Sequence, residues 1–438
     1  MKKAAIILIL FVILARVIGF GRDMILSYYF GASAISDAYL ISLTVPTTVI
    51  SLLGMAVAMN YIPMVTAMEQ TEGASRASFF TSGLCGLLIV VCGLMAGLVF
   101  IFAQPVVLLF AAGFQGDTLE TAVLFTRIGA AGILFSGIVS MLNAQLQVRN
   151  RFFMTALTEC ILNGTLVLFI ILGAHASVWV LALGISAGPA AQLFIAALYL
   201  RRKNCLVHPS FYLKDEDLKK IILLTLPVLV SISVDQVNAM VDRAFASGIA
   251  VGGVSAVSYA FKVSGFIHGI FAFSIGTAAY PALAKMTSSN DVKGLNGVVR
   301  ESIGSINLIV IPAAVGVMVF AQPVVALLFG RGSFDTAGIA MTADALFYFS
   351  IGLAAMGISD ILSRAFYARN DTKTPLVISL FSIGLNAALN ALFSTWMGIG
   401  GLALATSISL VFRTILLFVL YKKNIGKLGG SKLAFQLG

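Results

Sequence analysis

The sequence predicts an all-α polytopic membrane protein, with about twelve transmembrane helices in two six-helix bundles related by a parallel repeat. Three observations carry that prediction. Hydrophobic residues make up 59% of the 438-residue chain and charged residues only 11%, and the mean hydropathy is +1.02. Soluble domains hold roughly a quarter charged residues, so a water-soluble, disordered or DNA-binding chain is excluded. The apolar residues also fall in runs long enough to cross the hydrocarbon core, which takes about 20 residues of helix. Finally, the chain matches itself at an offset of about 220 residues.

In order, spans are predicted at 5–29, 35–63, 79–102, 121–147, 153–173 and 177–200, then at 221–248, 254–284, 301–321, 338–367, 374–395 and 399–421. Lys2 and Lys3 ahead of an apolar run look like a signal peptide, but no small-residue cleavage site follows. The segment instead runs on through Arg16 to Arg22 and Asp23, so a retained helix is expected. The polar stretch from Arg201 to Lys220 separates an N-terminal bundle (1–200) from a C-terminal bundle with a short tail (221–438). If the N-terminus is cytoplasmic, nearly every Lys and Arg outside the spans lies on that side, and only Arg331 and marginally Arg22 oppose it. By the positive-inside rule both termini are cytoplasmic. The net charge of +10 then marks loops that hold anionic membrane lipid, not nucleic acid.

The repeat is visible in several motifs. Ala103-Gln104-Pro105-Val106-Val107 returns as Ala321-Gln322-Pro323-Val324-Val325, Arg149-Asn150 as Arg369-Asn370, and Tyr39 as Tyr259. Arg22-Asp23 returns as Asp242-Arg243 with the signs exchanged. Six spans per half is an even number, so the halves are parallel. That is the plan of carriers whose two bundles alternate access to a site at the repeat interface.

Charges inside apolar runs cost roughly 2.5–3.5 kcal/mol at mid-bilayer and need a reason. Snorkelling or pairing accounts for Arg127, Arg364 and Arg413. Arg16 and Lys262 lie farther from the span ends. Arg16 and Asp23 are seven residues apart and share a helical face, with Arg22 rotated by about 100°. Gly19 and Gly21 between them remove bulk. Asp37 opens the second span. If the first, second, seventh and eighth spans line one space, it is rich in cations and suits a phosphate or pyrophosphate. The pairs at 22–23 and 242–243 read equally as gate ion pairs. A second constellation joins Asp235, Asn238 and Asp242 on span seven with Asn386 and Asn390 on span eleven and Thr406 on span twelve. Such oxygens either hold a hard cation such as sodium or bond helix to helix.

Enzymatic chemistry is not expected. Cys85, Cys92, Cys160 and Cys205 show no paired spacing, the histidines have no metal-site spacing, and no phosphate-binding G-x-x-x-x-G-K-[ST] loop is present. No cofactor is expected apart from a sodium coupling ion. A lipid-modifying enzyme would need paired carboxylates or a histidine cluster at one interface.

The stretch ARVIGFGRDMILSYYFGASAISDAY (15–39) resembles the opening of the MurJ/MviN lipid II flippase family, part of the multidrug/oligosaccharidyl-lipid/polysaccharide exporter superfamily. DQVNAMVDRAFAS (235–247), GVSAVSYAFKV (253–263), GTAAYPALAK (276–285), RAFYARNDTKTP (364–375) and GIGGLALATS (398–407) are similar to it as well. The resemblance implies a bacterial inner-membrane carrier that moves the undecaprenyl-pyrophosphate-linked peptidoglycan precursor, lipid II, to the outer leaflet. It implies a monomer working beside the cell-wall synthesis machinery. It places Arg16, Arg22, Asp23, Asp37 and Lys262 on substrate-binding or gating positions, with Lys262 where Arg is usual. It places Asp242, Asn386, Asn390, Thr406 and the Leu402 carbonyl on a sodium site, with Asn390 where an acid can stand. Two features depart from the family. The second span, PTTVISLLGMAVAMNYIP (46–63), lacks the family's basic residues, and the chain reaches GGSKLAFQLG where a thirteenth of fourteen spans would begin. The alternatives are a flippase for another lipid-linked oligosaccharide and a cation-coupled drug exporter of the same superfamily.

Overall fold

The computed structural model describes residues 2–203, 205–212 and 215–426, with the side chains of 2–13, 227–228, 230–232 and 234–235 outside the description. Among the described residues all regular structure is helical: α1 Lys2–Phe30, α2 Ala34–Thr71, α3 Ala74–Ile101, α4 Ala103–Phe110, α5 Gly116–Val148, α6 Phe152–His175, α7 Val178–Arg202, α8 Glu216–Ala246, α9 Gly253–Ile270, α10 Ala272–Ser288, α11 Val292–Val319, α12 Ala321–Leu328, α13 Thr336–Ile351, α14 Leu353–Ala368 and α15 Lys373–Asn424. Among the described residues, eight segments have the length and hydropathy to cross a membrane, seven of them single helices and one, Gly253–Ser288, made of α9 and α10, and α13 with α14 makes a ninth across a 45° bend. The 52-residue α15 is two of the predicted spans: Gly398 has φ +56 and turns the chain back on itself. Its arms are antiparallel, because Asn386 bonds Thr406 and Ser382 bonds the Ser409 carbonyl. The remaining predicted spans coincide with α1 and α8.

The repeated motifs have structural reasons. Pro105 and Pro323 offer no N–H to the residue four positions back and crowd its carbonyl. Each therefore ends the long helix before it and sits in the first turn of a short one. The junctions have matching backbone angles, Phe102 at φ −98, ψ 31 and Phe320 at φ −105, ψ 22. Arg-Asn recurs because the asparagine closes a helix in the left-handed conformation, with φ +56 at Asn150 and +60 at Asn370. In both, the following amide reaches back five residues, Arg151 to the Leu146 carbonyl (2.8 Å) and Asp371 to that of Phe366 (3.0 Å). A further equivalence was not apparent in the motifs: Ser186 donates to the Ile128 carbonyl and Ser407 to the Tyr348 carbonyl, both at 2.6 Å. Tyr39 and Tyr259 are both fully buried.

The chain forms two compact units, 1–236 and 237–438, so the division falls within α8. In the first unit, Val57, Tyr61, Val65 and Met68 of α2 pack on Phe80, Leu84 and Leu88 of α3, joined by Leu218 and Ile221 of α8. In the second, Leu295, Val299, Ile303, Ile306 and Val310 recur every three or four residues along α11 and meet Ile361, Leu362 and Phe366 of α14 with Leu417 and Tyr421 of α15. The opposite faces are also apolar: Leu94, Leu98 and Ile101 of α3 and Leu308, Val315 and Val319 of α11 are exposed. Helices apolar all round belong in lipid.

Candidate transport site

In the first unit, the polar centre is built on α1 and α6. Asp23 is buried, and its Oδ1 accepts from Arg22 Nε at 3.1 Å and Nη2 at 2.9 Å. Arg22 Nη1 donates to Asn163 Oδ1 of α6 at 3.2 Å, and Asn163 in turn donates to the Glu159 carbonyl. A Cβ at Gly19 would sit in ordinary contact with Asn163 Oδ1 at 3.5 Å, and one at Gly21 would meet nothing within 4 Å, so the packing demands glycine at neither position. Helical periodicity separates Arg22 from Asp23 and pairs Arg16 with Asp23. The structure pairs Arg22 with Asp23, because a long guanidinium stem bridges adjacent positions, and leaves Arg16 exposed. Asp37 is buried in the first turn of α2, where the helix N-terminus favours a carboxylate. Asn163 was missed in the sequence because its contact with Arg22 spans 141 residues.

In the second unit, Lys262 is half-buried on α9 and Arg243 half-buried on α8. The remaining polar residues converge. Asp242 Oδ1 accepts from Asn390 Nδ2 at 2.8 Å and Oδ2 from Thr406 Oγ1 at 3.1 Å. Asn390 Nδ2 also donates to Asn386 Oδ1 at 3.0 Å, Asn386 Nδ2 to Thr406 Oγ1 at 3.1 Å, and Thr406 Oγ1 lies 3.1 Å from the Leu402 carbonyl. All five residues are buried. The side chain of Asp235 lies outside the described residues.

This donor set fits sodium. It offers a carboxylate, two amide oxygens, a hydroxyl and a backbone carbonyl, and a hard cation takes oxygen ligands of this kind. The buried Asn390 Oδ1 has no hydrogen-bond partner among the described residues, which leaves acceptor capacity beside Asp242. No group of three or more His, Cys, Asp or Glu suited to a metal occurs among the described residues.

The family model described as lipid II flippase MurJ matches residues 26–438. The chain belongs to this family. Among MurJ relatives, the probable lipid II flippase of Buchnera aphidicola subsp. Baizongia pistaciae (strain Bp) is 27% identical, over 96% of this chain and 83% of its own. A solved lipid II flippase MurJ in an inward closed conformation superposes with a TM-score of 0.84 at 24% identity, covering 98% of this chain and 91% of its own. An inward-facing multidrug resistance transporter of the MATE family, in the MOP superfamily, has the same fold, with a TM-score of 0.77 at 16% identity and 95% of each chain covered. Arg364 has a local role in this MurJ relative: its guanidinium lies over Phe273 at 5.1 Å and Tyr280 at 6.0 Å, both on α10. Asp344 of α13, which the sequence showed only as a charge within an apolar run, lies against Gly400 of α15, where a Cβ would collide with its carboxylate.

Proposed function

We propose that the chain is a lipid II flippase of the bacterial inner membrane, working by alternating access with both termini in the cytoplasm. Membership of the family over residues 26–438 carries this reading, and the half-buried Arg22–Asp23–Asn163 cluster supports it. A guanidinium held at membrane depth is strongly biased toward a phosphoryl oxygen, which it can meet in a forked, bidentate geometry. In this reading Arg16, Arg22 and Lys262 bind the pyrophosphate, while Asp23 and Asp37 orient the cations and exchange partners with the substrate. The N-terminal bundle (1–200), linker (201–220) and C-terminal bundle (221–438) act as the repeat units of the transport cycle. The protein works as a monomer alongside the cell-wall synthesis machinery.

Asp242, Asn386, Asn390, Thr406 and the Leu402 carbonyl would hold the coupling sodium. When bound, the ion neutralises one carboxylate and ties α8 to both arms of α15. The membrane potential adds about 2.3 kcal/mol per moved charge per 100 mV. The test is transfer of labelled lipid II in proteoliposomes, with and without a sodium gradient. Arg22→Ala and Lys262→Ala, expressed at normal levels, are expected to lose most of the activity. Full activity in both overturns the assignment.

A further inference from the structure

The second unit holds an ionisable pair outside the oxygen cluster. His268 of α9 and Asp360 of α14 lie well inside segments long and apolar enough to span the membrane. His268 Nε2 is 3.0 Å from Asp360 Oδ2, and the two side chains are 10% and 31% exposed. Ionisable groups at membrane depth are costly and mark ion, proton or substrate paths. The repeat does not call for these two. At the offset that relates Tyr39 to Tyr259 and Asn150 to Asn370, their counterparts are Thr48 and Ser140, neither of which titrates.

The pair sits beside a break. Phe271, at φ −98, ψ −65, separates α9 from α10, and Ser274 Oγ donates to the Gly269 carbonyl at 3.3 Å across it. α14 grips both sides. Asp360 takes His268 on the α9 side, and Arg364, one turn further on, lies over Phe273 and Tyr280 on the α10 side. The helices approach closely here: a Cβ at Gly357 would lie 2.8 Å from that of Ala272, and one at Gly276 would lie 3.1 Å from Arg364 Nε. The two grips differ in chemistry. A guanidinium keeps its charge at every ordinary pH, whereas imidazoles as a class change charge between about pH 5 and 8. The charged side chains that the packed helices add along their middle stretches are Lys262 on α9, Asp344 on α13, Arg364 on α14 and Arg413 on α15. α10 and α11 carry theirs nearer one end, at Lys285 and at Arg300 and Glu301. His268 and Asp360 bond to each other rather than to any of these.

We propose that His268 and Asp360 form a proton-binding clasp at the break between α9 and α10. One proton from water adds to His268 Nδ1 while Nε2–H stays on Asp360. The hydrogen bond becomes an ion pair and holds α9 against α14; loss of the proton loosens α9, the helix that carries Lys262. The Arg364 grip on α10 is the same in both states. This inference rests on the flippase reading for its effect on transport, but not for the binding of the proton.

The experiment uses the full chain. In nanodiscs, the ring resonances of isotope-labelled histidine are followed with pH; in proteoliposomes at equal pH on both sides, lipid II transfer is measured. His268→Gln keeps a side-chain N–H for Asp360 but cannot take the proton, and it identifies the His268 signal against those of His175 and His208. That signal is expected to shift between about pH 5 and 8, and to follow a different curve in Asp360→Asn. Wild-type transfer is expected to be about fivefold faster at the alkaline end than at the acidic end, the scale on which a hydrogen bond strengthens when its donor becomes charged. His268→Gln is expected to transfer at one rate throughout. A His268 signal that does not move with pH, or that moves identically in Asp360→Asn, overturns the proposal. So does wild-type transfer without pH dependence, or a pH dependence that survives intact in His268→Gln. If the wild type moves no lipid II at any pH while the His268 signal titrates and responds to Asp360→Asn, the flippase reading fails and the proton site stands.

Discussion

At the scale of single residues, two side chains carry most of the chemistry. Arg22 is held as a fork, with Nε and Nη2 on Asp23 and Nη1 on Asn163. A lysine keeps the charge but is a point donor that cannot span both partners. Arg22→Lys is therefore expected to lose about 1–3 kcal/mol of stability by leaving Asn163 without its donor, and to slow lipid II transfer. Thermal unfolding in detergent and a proteoliposome assay measure the two effects separately. Asn390 is the other. Its Nδ2 touches Asp242 Oδ1 at 2.8 Å, a position where a carboxylate would supply a second negative charge. Asn390→Asp is expected to lower the sodium-free unfolding temperature through repulsion between the two carboxylates. It is also expected to tighten sodium binding about tenfold, a gain of ~1.4 kcal/mol, read from unfolding temperature across a sodium titration.

At the scale of elements, the segment between α7 and α8 is docked, and glycines permit the docking. Ser210 donates its amide to the Ser82 carbonyl at 2.9 Å, and a Cβ at Gly86 would run into the Ser210 carbonyl oxygen. Because the obstacle is backbone, Gly86→Ala is expected to lift the segment off α3 at a cost of about 1–3 kcal/mol, visible as faster protease cleavage between Lys203 and Asp215. Arg76 closes the same junction. It bonds Asp215 Oδ2 at 2.6 Å and Oδ1 at 2.8 Å and pairs with Asp217. The hydrogen bonds from Arg76, aided by the Asp217 amide, hold the Asp215 carboxyl below its ordinary range despite some burial. A depressed folded value means that the pairing contributes fully above the unfolded carboxylate value of about 4 and is lost as pH falls through the folded value. A spin label at position 210, in a cysteine-replaced background, is expected to stay immobile at neutral pH and to gain mobility only as the pH falls well below about 4, through the lowered folded value. In Arg76→Gln it is expected to be mobile throughout. None of this junction was legible in the sequence, where Gly86 is one small residue in an apolar run and Arg201–Lys220 reads as a solvated linker. The spans were legible because bilayer thickness sets their length. The helix ends at Pro105, Pro323, Asn150 and Asn370 were legible because few residue types tolerate those geometries. The break at Phe271 carries no such signature.

At the scale of the whole molecule, the repeat gives one scaffold two different polar centres. The sequence grouped Asp235, Asn238 and Asp242 with Asn386, Asn390 and Thr406 as either a cation site or helix-to-helix bonds, and the family resemblance added the Leu402 carbonyl; the structure joins Asp242, Asn386, Asn390, Thr406 and Leu402. The Arg22–Asp23 centre needed coordinates, since its third member arrives from a helix 141 residues away. The first centre contains its own cation, because the Arg22 guanidinium pairs with Asp23. The second surrounds its carboxylate with neutral amide and hydroxyl groups, so a cation from solution can complete it. Global stability should therefore respond to sodium through one centre only. A ligand that binds the folded state at 100 times its dissociation constant stabilises it by about 2.7 kcal/mol, and the unfolding temperature of the wild type in sodium should exceed that in choline accordingly. Asp242→Asn is expected to abolish the difference. Asp23→Asn should destabilise the protein in both salts by removing the negative charge that faces Arg22, yet keep the full sodium increment. Scans of the three proteins in matched sodium and choline chloride measure this. A sodium increment that survives in Asp242→Asn, or vanishes in Asp23→Asn, would place the ion elsewhere in the molecule.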